Sequence, residues 1–171
     1  MWTATEKMDM LVGSGSERPR ETGALRVPSG ALSDTWLLLR ERANGQFESL
    51  VYWVGRFDGS LSGYGWVAGA VCPRVVATEL HVHVPRTERI GVARFLREKG
   101  FIVLAEIHTH MEEAFLSPVD AAYPLVGTPG FIQIVVPYFA TRPEDWRTAA
   151  IFMREDNKWT PRGVDLFQGY S

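Results

Sequence analysis

The sequence predicts one α+β domain built on a mixed sheet, and three observations carry that prediction. Short β-branched or aromatic runs recur at 46–55, 66–72, 75–84, 101–105, 131–137 and 148–154. Helical patterns at 33–43 and 87–99 separate these runs into blocks rather than alternating with each one. A length of 171 residues and a mass of 19.2 kDa suit one ordinary domain, long enough to bury a core.

Composition narrows the partners. With 46% hydrophobic and 22% charged residues the chain is globular, and a net charge of −2 leaves no basic footprint for nucleic acid. The single cysteine, Cys72, excludes an intramolecular disulfide and fits a reducing compartment. It follows a strand-like apolar run in Val71-Cys72-Pro73, which favours a buried structural thiol over a nucleophile. No apolar run approaches the roughly 20 residues that span a bilayer, so no membrane partner is expected. Glu6, Lys7 and Asp9 interrupt any signal-peptide core. The expected location is the cytoplasm.

Residues 1–30 carry Gly, Ser, Glu and Arg with little periodicity and read as a tail or loosely docked lead-in to a domain over 31–171. Within them, Met8, Met10, Leu11 and Val12 could form a short edge strand. The first helix is expected over Ser33–Ala43, capped by Ser33 or Asp34, with Trp36, Leu39 and Ala43 at helical spacing and Asn44-Gly45 as its stop. The strand over Gln46–Gly55 follows, with the acid Glu48 near its start. Asp58-Gly59 marks a turn in the Gly- and Ser-rich stretch from Arg56 to Gly65.

Two strands are then expected over Trp66–Cys72 and Val75–Val84. The second carries a same-face pair, His81 and His83, which lacks an acid at ligand spacing and reads as solvated or partner-facing. Thr87–Lys99 is the second helix, capped by Thr87, ended by Gly100, with Ile90, Ala93 and Leu96 or Phe95 inward. Its basic residues Arg89, Arg94, Arg97 and Lys99 read as a solvated face. A short third helix is expected over Asp120–Val126, then a central strand over Phe131–Pro137. A strand over Thr148–Arg154 turns at Asp156-Asn157 into a return strand begun by Trp159.

The chemistry concentrates where the apolar run Phe101–Ala105 leads into Glu106-Ile107-His108-Thr109-His110. Side chains at i and i+2 of a strand share a face, so His108 and His110 project together as the strand ends. Beyond them Ser117 suits an N-cap and Pro118 the first helical position, which brings Asp120 in as a carboxylate from the new helix. Two histidines and one carboxylate leave an open position on a tetrahedral zinc, the layout of a catalytic site. Iron, manganese or cobalt could also be held by such a set.

This His-x-His, six-residue, Ser-x-x-Asp pattern resembles the JAMM motif of the JAB1/MPN metalloproteases, which cleave isopeptide bonds to ubiquitin-like proteins. The resemblance runs from about Leu32 to about Arg162, with its specificity in some fifteen residues. It implies a mixed sheet sandwiched by helices, one zinc on His108, His110 and Asp120, and Ser117 as oxyanion donor. The interval from His110 to Ser117 is one residue shorter than the commonest family pattern, and Met111 stands where proline usually follows. The short interval recurs in small bacterial members found beside genes resembling ubiquitin-activating and ubiquitin-conjugating enzymes. The expected substrate is therefore a ubiquitin-like protein or its conjugates, with E1-like and E2-like proteins as possible partners and phage defence as one setting.

In that family the catalytic glutamate follows the first helix and opens a strand ending in glycine, the place of Glu48. Read alone, Glu48 is an exposed acid at a strand edge. Glu106, two residues before His108, is the competing base and ranks second because it would more naturally orient the ligands. Glu112 and Glu113 in the inter-ligand loop read as solvated. Two other functions stay open: a non-catalytic scaffold of the same fold, and a zinc hydrolase acting on small molecules or free peptides. The stretch Gly55–Trp66 is one candidate substrate groove.

Overall fold

A computed structural model describes residues 25–57 and 65–168. The expected Met8–Val12 edge strand, the Asp58-Gly59 turn and the middle of the proposed groove lie outside these residues. The chain is a mixed α+β structure, as expected. Its main sheet contains β1 (Leu25–Arg26), β2 (Leu50–Phe57), β3 (Gly65–Val71), β6 (Ile102–Thr109), β7 (Ile132–Val136), β8 (Ala150–Glu155), β9 (Lys158–Arg162) and β10 (Phe167–Gln168). The spatial order is β10-β1-β3-β2-β6-β7-β8-β9. β1 runs parallel to both neighbours and β6 parallel to β7; the other pairs are antiparallel. A separate hairpin joins β4 (Val76–Ala77) to β5 (Val82–His83).

Helices cover both faces. α1 (Ser29–Ala43) packs Leu32, Trp36 and Leu39 against Val51, Trp53, Ala105, Ile107 and Ile134. α2 (Arg86–Lys99) packs Val92 and Leu96 on the opposite face, against Leu50, Tyr52 and Val54. The alternation along β2 sends odd residues to one helix and even residues to the other, as the two-residue period of a strand requires. An aromatic knot closes the α1 side: Trp53 lies 5.5 Å from Trp146 and 5.3 Å from Phe167, centroid to centroid. The Trp53 indole N–H donates to Thr35 Oγ1 at 2.7 Å, so burying this ring leaves no orphan donor.

Several boundaries differ from expectation, each for a local reason. α1 begins at Ser29 rather than Ser33, with Pro28 as N-cap and its carbonyl accepting from Ala31 and Leu32. The helix therefore contributes Leu32 to the core, and the capping side chains foreseen at Ser33 and Asp34 are exposed mid-helix. α2 likewise starts after Pro85, and its buried face is Gly91, Val92 and Leu96; Ala93 stands one position off that stripe. Gly100 ends it in the left-handed region at φ 64°, a conformation glycine adopts without a Cβ clash.

β2 begins at Leu50, so Glu48 precedes the strand rather than opening it. Val75–Val84 is two short strands around a turn, because Thr78 Oγ1 accepts from Leu80 N–H and Thr78 N–H donates to the His81 carbonyl at 2.8 Å. Residues 25–26 of the expected lead-in are threaded between β3 and β10, with Leu25 and Val27 buried. β2 and β3 approach so closely at a bulge beside Gly55 that a Cβ there would sit 1.9 Å from the Trp66 carbonyl oxygen. Among the described residues no helix is long and apolar enough to cross a membrane.

Candidate metal centre

β6 lies mid-sheet, hydrogen-bonded to β2 on one side and β7 on the other, and its C-terminal end carries the two histidines. Ladder bonds hold that end: Thr109 N–H donates to the Ser49 carbonyl, and His110 N–H donates to the Val136 carbonyl, each at 3.0 Å. Thr109, pointing away from the histidines, accepts from Ser49 N–H through Oγ1 at 2.9 Å. The two imidazoles meet at 5.1 Å between centroids, and Phe115 stands edge-on to His110 at 4.9 Å.

Asp120 arrives from α3 (Pro118–Ala122), which begins as expected with Ser117 at the N-cap and Pro118 first in the helix. The helix ends at Ala122, earlier than Val126, with Pro124 close behind. Ser117 Oγ accepts from Asp120 N–H at 3.2 Å and Asp120 Oδ2 accepts from Ser117 N–H at 3.1 Å, a reciprocal capping box. The box fixes the carboxylate rotamer. Asp120 Oδ2 then lies 3.5 Å from Nε2 of both His108 and His110.

These three ligand atoms all fall within 4.8 Å of one another, a spread a single metal ion can bridge. Independent support comes from His108 Nε2, which is buried and has no hydrogen-bond partner. An orphaned buried nitrogen costs about 1–3 kcal/mol, and a cation between it and Asp120 removes that cost. The donor set and its orphan fit a metal.

The electrostatics point the same way. Burial alone would raise the Asp120 carboxyl, but the imidazoles of His108 and His110, each 3.5 Å from its Oδ2, with the charge of His108 and the hydrogen bond from Ser117 N–H, hold it far below the ordinary carboxylate range. His108 is pulled down by burial and, more strongly in sum, up by Asp120, Glu106 and Glu48. Three carboxylates thus face two imidazoles.

Glu48 is buried beside this group, with its Oε1 3.8 Å from His110 Nε2. The antiparallel register explains the placement: Leu50 opposes His108, Ser49 bonds Thr109, and the next step sets Glu48 across from His110. Its N–H donates to the Thr78 carbonyl at 2.9 Å, tying it to the β4–β5 hairpin. Burial pushes its carboxyl up to about 7, against the lowering pull of His108 and with a smaller push from Asp120. A buried acid replaces the exposed strand-edge acid that Glu48 resembles when read alone.

The other candidates separate cleanly. His81 and His83 are exposed and stack on each other at 5.5 Å, and no third ligand joins them in a metal-holding group among the described residues. Glu112 and Glu113 are exposed. Cys72 is half-buried, and burial pushes its thiol up despite the opposing Arg42 guanidinium, which disfavours the thiolate. Glu106 shares the histidines' face of β6 and adds its charge to His108, while its Oε1 accepts from Gln133 Nε2 at 3.3 Å. Gln133 was not among the candidates from sequence. Its signal is a lone amide in the apolar run Phe131-Ile132-Gln133-Ile134-Val135-Val136.

Fold and site together define a constellation of two histidines and one carboxylate, able to hold a metal ion, on a mixed α+β sheet. No protein-family model matches the chain. Over 82 residues the chain is 38% identical to a Sinorhizobium fredii protein named probable metalloprotease y4jG, covering 48% of this chain and 45% of that protein. The chain therefore spans less than half the length of this relative. A solution structure of a Desulfitobacterium hafniense protein is similar with a TM-score of 0.62 at 15% identity, covering 81% of this chain and 90% of the other. A Salinibacter ruber protein, also solved in solution, gives 0.58 at 15% identity over 80% and 88%. At such identity the likeness is one of fold alone.

Proposed function

We propose that the chain is a zinc-dependent peptidase of the JAMM type, hydrolysing the bond after the C-terminus of a ubiquitin-like protein, in deconjugation or precursor processing. One observation carries the reading: Asp120 Oδ2 stands 3.5 Å from both histidine Nε2 atoms while His108 Nε2 is buried without a partner. The Sinorhizobium fredii relative, named a probable metalloprotease, supports metal-dependent peptide hydrolysis in general.

Zinc bound by His108, His110 and Asp120 supplies a Lewis acid that lowers the pKa of water from 15.7 to about 7 and polarises a carbonyl. Glu48 takes the proton from the attacking water and returns it to the departing amine. In the metal-free chain burial raises its carboxyl to about 7, and a bound cation would lower it and favour the ionised form that accepts a proton. Ser117, whose oxygen is occupied by the helix N-terminus, offers its O–H to the developing oxyanion. Asp120, kept ionised by its neighbours, stays a ligand across the working pH range.

The test measures zinc per chain and cleavage of a ubiquitin-like protein fused to a reporter. About one zinc and scission directly after the ubiquitin-like C-terminus support the proposal. A chain that holds zinc but cleaves only small esters or free peptides is a different zinc hydrolase. A chain without zinc or cleavage is a scaffold.

A further inference from the structure

α3 carries Asp120 yet buries none of its five residues, so apolar packing does not hold it in place. The last four carbonyls of a helix lack partners within it, and in so short a helix these include Asp120 and Ala121. Both carbonyls are met from the sheet. Gln133 Nε2 donates to the Asp120 carbonyl at 3.3 Å, and the Trp159 indole N–H donates to the Ala121 carbonyl at 3.1 Å.

Gln133 is the more telling of the two. It is fully buried in the middle of β7, whose other residues are Ile132, Ile134, Val135 and Val136. Burying an amide in such a strand is unfavourable unless its hydrogens are satisfied. The second donor contact of the same NH2 group goes to Glu106 Oε1, on the strand that carries both histidines. Gln133 pairs with Glu106 in the β6–β7 register, so the amide sits beside the ligand strand. Its own Oε1 has no partner. The side chain is held entirely through its two donor contacts, one to the histidine strand and one to the aspartate helix.

We propose that Gln133 is a positioning residue of the metal centre, its NH2 clamping the Asp120 carbonyl on α3 to Glu106 on β6, with Trp159 as the second clamp. This rests on the metal-binding reading above. Glu106 is then the anchor of a clamp and not a general base. The capping box ties Asp120 back to Ser117, and the two clamps hold the carbonyls of Asp120 and of Ala121 that follows it. Together they leave the Asp120 carboxylate little freedom to leave the histidines.

The experiment uses the full chain as wild type, Gln133→Met, Trp159→Phe and His110→Ala. Methionine keeps the glutamine's length but removes both donors; phenylalanine removes the indole N–H together with the five-membered ring and keeps an aromatic six-membered ring at the position. Zinc affinity is measured by competition with a chromogenic chelator, the cobalt(II)-loaded protein by visible absorption, and the metal-free protein by thermal unfolding. Gln133→Met is expected to bind zinc about 10- to 100-fold more weakly, with an altered cobalt spectrum and cooperative unfolding retained. Trp159→Phe is expected to shift both in the same direction by less. If Gln133→Met does not fold, Trp159→Phe decides.

Wild-type affinity and an unaltered cobalt spectrum in the folded variants overturn the clamp, provided His110→Ala loses the metal. If wild type binds no more zinc than His110→Ala, the metal-centre reading has failed and the clamp falls with it.

Discussion

Glu48 Oε1 lies 3.8 Å from His110 Nε2, the same nitrogen that Asp120 Oδ2 approaches at 3.5 Å. Two carboxylates thus converge on one imidazole, one from the chain entering β2 and one from α3. Of the two, Asp120 also lies within 3.5 Å of His108, so the proposed centre divides the pair into a ligand and a neighbour of the ligand.

That division predicts the behaviour of Glu48→Gln. The variant is expected to keep about one zinc per chain while its turnover of a ubiquitin-like fusion falls by about 10²- to 10⁴-fold, the usual contribution of a general acid–base group. Zinc content and kcat measured on the same preparation decide the matter. Turnover close to wild type would transfer the proton-handling role away from Glu48.

Metal removal is the second prediction. If His108, His110 and Asp120 hold zinc as proposed, they come together only in the folded chain, and zinc at 100 times its Kd is expected to add about 2.7 kcal/mol to stability. For a chain of this size that corresponds to a rise in Tm of about 5–10 °C. Differential scanning fluorimetry with and without EDTA should show the rise in wild type and lose it in Asp120→Ala. An identical Tm under both conditions would mean that the three ligands bind no ion.

A third expectation separates the two roles of Ser117. Replacing an N-cap serine by alanine costs about 0.5–2 kcal/mol of stability, whereas glycine costs only a few tenths. Losing an oxyanion donor costs about 2.7–4 kcal/mol of barrier whichever residue replaces it. Ser117→Ala and Ser117→Gly should therefore differ in urea stability yet show the same large loss of kcat. If Ser117→Gly turns over as fast as wild type, Ser117 is only a cap.

Much of this site is legible in the chain because its parts are local. His108 and His110 share a face by the strand period alone, and Ser117, Pro118 and Asp120 write their own helix start within four residues. The position of Glu48 is not local. Its burial depends on β2 pairing with β6 some sixty residues later, and on a hairpin whose turn is set by Thr78 hydrogen bonds that hydrophobic periodicity does not report. The helix starts after Pro28 and Pro85 are illegible for a similar reason. Both N-caps lack a side-chain hydrogen bond, so the Ser, Thr or Asp that normally marks a start stands inside the helix instead. The role of Gln133 is not legible either, because a single amide in an apolar strand becomes meaningful only when α3 is folded over it.

The pH dependence of the metal-free protein gives the last prediction, and its sign follows from the direction of the Glu48 shift. Burial raises this carboxyl from an ordinary 4.5 to about 7, so the folded chain holds the proton more tightly than the unfolded chain. Stability from this group is complete below its ordinary value and is lost as pH rises through about 7. Asp120 has the opposite sign: its depressed carboxyl stabilises the fold above the ordinary range, and that contribution disappears as pH falls. Comparing wild type with Glu48→Gln cancels much of the Asp120 contribution and isolates Glu48. The variant should gain stability relative to wild type between about pH 5 and about pH 8, read from urea unfolding of chelator-treated protein. A stability difference that is flat across that interval would mean that Glu48 is solvated in the metal-free chain, and the acid's readiness to exchange a proton near neutrality would lose its physical basis.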